Sequence, residues 1–365
     1  MIEFIPLKYY KSYYYFILFF LIFLLFLNSK MRSIFDGSNL KKINVIGFVI
    51  LIFILTFIGL RPINGRYFGD TETYDLIYKS YSTNSNYHLE TGDFLFDYLM
   101  RFLSNFLDIN SFFLICAFIY IYSIYFSTKK IFKEYWTYPF VILVISLSFW
   151  SYGVNGVRNG IATSLFIYAL TRSTIKSQLL WMLIGIGFHK SLILPIVGYL
   201  ITLKVKSSRS FLIFWVFCIP FSLLIGSSFQ DLISAFFDDN KLDNYFYNEN
   251  TAKQFSKIGF RWDFLLYSCL GVFSGFYFIV RRKFKDLFYE KIYSIYLFSN
   301  AIWILVIKSS FSNRFAYLSW FMMGLIIVYP FFKQLFFNNQ YKLFGNILLI
   351  YFLITFILDF ILIPN

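Results

Sequence analysis

Ile43-Asn44-Val45-Ile46-Gly47-Phe48-Val49-Ile50-Leu51-Ile52-Phe53-Ile54-Leu55-Thr56-Phe57-Ile58-Gly59-Leu60 carries no charge over its whole length. A helix that crosses the hydrocarbon core of a bilayer needs about 20 mostly apolar residues, so this stretch predicts a membrane span. Comparable uncharged stretches fall at 13–27, 109–127, 135–152, 210–230, 264–280, 292–307, 315–332 and 343–358. Between them, 157–171, 177–188 and 191–203 are apolar but shorter than a standard span. Read as three short helices, they bring the expected total to about twelve transmembrane helices in one all-α, polytopic membrane domain covering 1–365. The first stretch is long and has no small-residue cleavage motif after Leu27, which predicts a retained helix and not a secretory signal.

Composition agrees. Of 365 residues, 59% are apolar and 24% aromatic, while 14% are charged, against about 25% in ordinary soluble domains. A water-facing globule is excluded. The net charge of +14 is scattered between apolar runs and forms no basic stripe or tail, which argues against a nucleic-acid partner and for a membrane surface. Cys116, Cys218 and Cys269 lie within apolar runs without metal-type spacing, so they read as buried small hydrophobes.

Alternating twelve spans leaves two orientations, and positively charged short loops are retained in the cytoplasm. Placing 28–42, 128–134, 172–176, 204–209, 281–291 and 333–342 on one side gathers the clusters Lys129/Lys130/Lys133 and Arg281/Arg282/Lys283/Lys285 there. That side is expected to be cytoplasmic, with both termini outside. Two long hydrophilic segments, 61–108 and 231–263, then fall outside. In the first, Phe94, Phe96, Leu99, Phe102, Leu103 and Phe106 recur near helical spacing, with Asp93, Asp97 and Arg101 between them. This predicts an amphipathic interfacial helix. The second reads as a polar loop around Asp238, Asp239, Asn240, Asp243 and Asn244. No third ligand stands at telling spacing from Asp238-Asp239, and no metal site or cofactor is expected.

An ionisable group within an apolar segment is costly and marks a functional site by default. Arg61 ends the second span, Arg158 interrupts an apolar run, His189 and Lys190 separate two short helices, and Arg314 opens a late span. All fall on the external side, which predicts a cationic, water-filled recess there. Long basic side chains at helix ends also snorkel to headgroups, which would account for Arg61 and Arg314 without a site. Gly156 and Gly160 beside Arg158 have the small-xxx-small spacing of close helix packing. From Arg61 to Tyr74 the chain reads RPINGRYFGDTETY. Its proline and glycines predict turns that bring Arg61, Arg66, Asp70 and Glu72 together just outside the bilayer. Arginine forks suit phosphate oxygens, and a carboxylate can accept a hydroxyl proton. No glycine-rich phosphate loop, serine elbow or zinc helix is present.

In order, Gly59-x-Arg61, Gly69-Asp70-x-x-x-Tyr74, Glu90-x-Gly92, Arg158-x-Gly160-x-Ala162, Phe188-His189-Lys190-Ser191 with Pro195, and Asn313-Arg314-Phe315-Ala316-Tyr317 resemble the EpsG-like, Wzy-type polymerases of O-antigen or capsular polysaccharide, over about 45 to 330. The resemblance implies a GT-C-like membrane glycosyltransferase in the bacterial inner membrane. It would move a glycan from undecaprenyl pyrophosphate to the non-reducing end of a lipid-linked repeat unit on the periplasmic face. The implied partners are the undecaprenyl-pyrophosphate-linked oligosaccharide, membrane lipid and a chain-length regulator. Within that chemistry Arg158 and Arg314 would clamp the leaving pyrophosphate, with Arg61 or Arg66 assisting. Asp70 or His189 would be the base, and Glu72, Tyr74 and Lys190 would bind substrate. A flippase for the same lipid-linked sugar, and a ligase with the same donor, are the alternatives.

Overall fold

The computed structural model describes residues 4–32, 36–83, 93–237, 259–309 and 312–362. Among the described residues all regular structure is helical, with no strand. Six helices are long and apolar enough to cross a membrane: Leu7–Met31, Gly37–Gly59, Ile109–Tyr135, Trp262–Arg281, Asn313–Lys333 and Gln340–Phe360. A seventh candidate is the pair Thr137–Val144 and Leu147–Val154, bent by 72° at its break. The protein is therefore a multi-pass membrane protein, with six or seven helices long and apolar enough to span among the described residues, fewer than the twelve expected.

The difference has a physical cause. Val157–Leu170 and Ile175–Phe188 have 14 residues each and Ile193–Lys204 has 12. At 1.5 Å per residue these reach only about 21 Å or less, short of a roughly 30 Å core. The expected helices are present, but none of the three is a span. The helix Leu287–Leu305 over the expected 292–307 stretch is 19 residues long, but its Glu290, Lys291, serines and Asn300 dilute its apolar character.

The chain divides into two compact units, Met1–Leu192 with Phe331–Asn365, and Ile193–Pro330. The first unit contains α1 (Leu7–Met31), α2 (Gly37–Gly59), the short α3 (Gly65–Phe68), α4 (Thr71–Thr83), α5 (Phe94–Ser104), α6 (Ile109–Phe132), α7 (Thr137–Val144), α8 (Leu147–Val154), α9 (Val157–Leu170) and α10 (Ile175–Phe188). Helix α6 packs against α2 and α9, and α9 against α10. Local sequence sets the helix starts: Asp36, Asp108 and Thr174 accept from the backbone N–H of Ser38, Ser111 and Ser177, satisfying donors that a helix start leaves open. Gly47 has no side chain where a Cβ would stand 2.5 Å from Thr137 Oγ1, so α7 can begin against α2, with Thr137 Oγ1 donating to Asn44 Oδ1 at 2.7 Å.

The first unit has two distinct ends. At one, Lys30 Nζ donates to Lys342 O and Lys333 Nζ to Ile131 O. At the other, Tyr10 Oη donates to Phe57 O and the segment after α2 meets the α8–α9 junction.

The described part of the segment 61–108 is folded, with α3, α4 and α5 occupying most of it. The amphipathic helix is α5, but its faces differ from those expected. Asp93, Phe96, Met100 and Ser104 form the buried stripe, whereas Phe94, Tyr98, Phe102 and Phe106 are exposed.

The second unit contains α11 (Ile193–Lys204), α12 (Ser208–Phe237), α13 (Trp262–Phe276), α14 (Leu287–Leu305), α15 (Asn313–Trp320) and most of α16 (Met323–Lys333); α17 (Gln340–Ile357) returns to the first. Helix α12 runs to Phe237, past the expected loop start at 231. Asp238-Asp239 lie outside the described residues. Helix α14 is the centre of this unit, packed by α11, α12 and α15. Its Asn300 accepts from Trp215 Nε1 at 2.7 Å and donates to Ser268 Oγ and Ser319 Oγ. Such closed polar networks are what an apolar interior requires.

Candidate active site

Four segments converge at one end of the first unit: α4, the start of α5, the start of α9 and the residues that follow α10. The α8–α9 junction is the foundation. At Gly160 a Cβ would stand 2.8 Å from Tyr152 O, so this glycine lets α9 start hard against the last turn of α8. Gly156 and Gly160 thus serve the turn that presents Arg158. At Gly187 a Cβ would stand 2.5 Å from Leu95 Cδ1, and its absence lets α5 lie on α10 and brings Asp93 to His189.

The Asp93 carboxylate is the hub. Arg158 Nη1 donates to Asp93 Oδ2 at 2.6 Å, and the backbone N–H of Lys190 donates to Oδ1 at 3.2 Å. His189 Nδ1 stands 3.3 Å from Asp93 Oδ1. Arg158 Nε donates to Tyr74 Oη at 3.1 Å. Around them, Ser191 Oγ donates to Asn159 Oδ1 at 2.8 Å, which fixes the α10–α11 link to α9. The Asp93 side chain is 3% exposed, while Arg158 and His189 keep 21% and 24%, so the carboxylate is inside and both bases face outward from it.

Burial alone would raise the Asp93 carboxyl. The hydrogen bond and charge of His189, the Arg158 guanidinium and the Lys190 N–H outweigh it and hold the group below its ordinary 3.8. Asp93 is therefore an anion at neutral pH. It precedes α5 at the capping position but makes no side-chain cap there. In the sequence Asp93 stood only as a polar position of the amphipathic helix, and nothing local marked it as the hub.

The expected residues divide into three groups. Arg158, His189, Lys190 and Tyr74 do come together, Lys190 through its backbone N–H. Asp70 joins at the edge: its side chain is exposed, its N–H donates to Asn155 Oδ1 at 3.1 Å, and its charge acts on both Tyr74 and Arg158. Gly69 allows this approach, with φ +60 and no Cβ where Asn155 Oδ1 would be 2.2 Å away.

Arg61 is placed differently from expectation. It is 1% exposed; Nη1 donates to Ile58 O, Nη2 donates to Val154 O, and the guanidinium lies over the Phe113 ring at 4.5 Å. It ties the ends of α2 and α8 together beneath the site and is not presented to a ligand. Arg66 and Glu72 are exposed and make no bond to the Asp93 cluster among the described residues. Arg314 is an exposed residue at the start of α15, in the second unit. The recess read as purely cationic is thus a mixed centre, two bases on a buried acid. Glu90 and Gly92 lie outside the described residues. Among the described residues no three His, Cys, Asp or Glu side chains are grouped to hold a metal ion.

Compared with known families, the sequence matches the EpsG family over residues 44–365. The chain belongs to the EpsG family. No curated protein and no solved structure matches it. Membership identifies the chain, at a coarse level, with membrane glycosyltransferase-type polymerases. The matched stretch contains every residue of the Asp93 cluster, so the centre described above belongs to the EpsG part of the chain.

Proposed function

We propose that this protein elongates a bacterial surface polysaccharide, transferring a growing glycan from undecaprenyl pyrophosphate to the non-reducing end of a lipid-linked repeat unit at the outer face of the cytoplasmic membrane. The observation that carries this reading is Arg158, a partly exposed guanidinium held by Asp93 and Tyr74 at the end of a membrane bundle. Among the described residues Nε and one N–H of Nη1 are committed to those partners. Nη2 and the second N–H of Nη1 are donors suited to phosphate oxygens.

In the reaction the acceptor hydroxyl oxygen bonds to the anomeric carbon of the donor. The bond from that carbon to the pyrophosphate oxygen breaks, and its electron pair leaves with the pyrophosphate. Arg158 stabilises the charge that develops there; fixed donors of this kind contribute about 100-fold or more each. The hydroxyl proton passes to a base. His189 is suited to this, because Nδ1 faces Asp93 and Nε2 has no partner among the described residues. Asp70, exposed at the rim and within electrostatic reach of Arg158, would orient the acceptor sugar. The test is the surface glycan of a deletion strain. Loss of the long polymer with single repeat units retained supports polymerisation; loss of even the single unit points to a flippase or ligase.

A further inference from the structure

The geometry assigns Asp93 as the positioning residue of this centre: it holds His189 in the Nδ1–H tautomer and locks Arg158 to the same carboxylate, so that base and phosphate clamp keep one fixed separation. This rests on the reading of His189 as the base. Three observations carry it. Asp93 receives donors from both functional segments, Arg158 Nη1 at 2.6 Å from α9 and the Lys190 N–H at 3.2 Å from the link after α10. Its side chain is 3% exposed, so water does not replace either partner. It also makes no cap to its own helix, so neither helix starting nor solvation accounts for the carboxylate.

The tautomer follows from bonding capacity. An ionised carboxylate has only lone pairs to offer. The Nδ1 that faces Asp93 at 3.3 Å must then bring the proton, and in the neutral ring Nε2 keeps the lone pair that takes up the acceptor proton. Without the carboxylate the ring is free to turn or to exchange tautomers, and Arg158 loses the anchor that opposes Tyr74. The group that takes the acceptor proton and the group that stabilises the leaving pyrophosphate then lose their mutual geometry, and misplacement of this kind costs a large factor in rate.

The test uses the full chain in lipid nanodiscs, with His88→Gln so that His189 is the remaining histidine, and histidine labelled with nitrogen-15 at Nδ1. At a pH where the ring is neutral, the parent is expected to give the signal of a protonated Nδ1. Asp93→Asn is expected to move population to the bare-Nδ1 signal and to lower turnover on a lipid-linked repeat unit by about 100-fold, while Asp93→Glu keeps the protonated signal and recovers part of the turnover. A bare Nδ1 in the parent overturns the proposal even if Asp93→Asn fails to fold, and so does an unchanged signal in a folded Asp93→Asn. A shifted signal with normal polymer instead overturns both the catalytic reading of His189 and the positioning of the clamp, and leaves standing only that Asp93 sets the His189 tautomer.

Discussion

At the scale of single residues, the centre turns on how one buried carboxylate and one guanidinium are satisfied. Arg158 keeps free donors and partial exposure, whereas Arg61 is sealed beneath the site, so the two arginines are expected to fail in different ways. Arg158→Ala should accumulate in the membrane yet lose chain extension by about 100-fold or more, read from glycan ladders beside a membrane immunoblot. Arg61→Ala should instead lower the amount of folded protein, since it strips partners from the carbonyls of Ile58 and Val154, and buried groups left unpaired cost about 1 to 3 kcal/mol each. Normal ladders from Arg158→Ala would remove it from the reaction. Asp93 adds a pH signature. Its carboxyl is depressed below 3.8 in the folded chain, so the unfolded state binds the proton more readily. The stability it contributes is present above that value and is lost as the pH falls through the depressed one. Facing it are Arg158, His189 and the Lys190 N–H. Thermal unfolding in detergent should show the parent losing stability on acidification below about pH 4 more steeply than Asp93→Asn, and parallel curves would reject the linkage.

At the scale of elements, what was legible in the sequence is what hydropathy and helix-breaking chemistry encode. The stretches at 43–60 and 343–358 became α2 and α17 almost unchanged, because an uncharged apolar run has few alternatives to a helix in lipid. The short runs at 157–171 and 177–188 became α9 and α10 with nearly the expected ends, but a count of runs does not test whether 14 residues reach across a bilayer. The faces of α5 were the least legible. Phe94, Phe96, Phe102 and Phe106 look alike in sequence, and only packing on α4, α6 and α10 selects Phe96 and Met100 for burial. Asp93 was hidden for the same reason, since its partners are 65 and 96 residues away. The glycines at the α8–α9 junction support a prediction at this scale. Gly160→Ala drives a methyl to 2.8 Å from Tyr152 O, a backbone atom that cannot swing aside. The start of α9 must shift, and activity should drop more than protein level does, measured as turnover per folded molecule. Gly37→Ala, with nothing within 4 Å of its Cβ, is the control and should match the parent.

At the scale of the whole molecule, orientation decides whether the Asp93 centre meets a flipped lipid-linked substrate. Within the first unit, α6 carries the chain from Ile109, two residues after Leu107, whose carbonyl accepts from Tyr78 one turn beyond Tyr74 on α4, to Lys129 and Lys130 at the other end. Its 24 residues correspond to about 36 Å, enough to place these two points on opposite sides of a bilayer. The far end gathers Lys30 and Lys333 as well, and basic residues in short loops are held in the cytoplasm. The site end carries exposed Arg66 and Asp70. In a chain with its native cysteines replaced, a cysteine at Arg66 should react with a membrane-impermeant maleimide in cells whose outer barrier alone is opened. A cysteine at Lys130 should react only once the cytoplasmic membrane is broken. The opposite pattern would turn the Asp93 centre toward the cytosol, and transfer between flipped, lipid-linked sugars at that centre would then be ruled out.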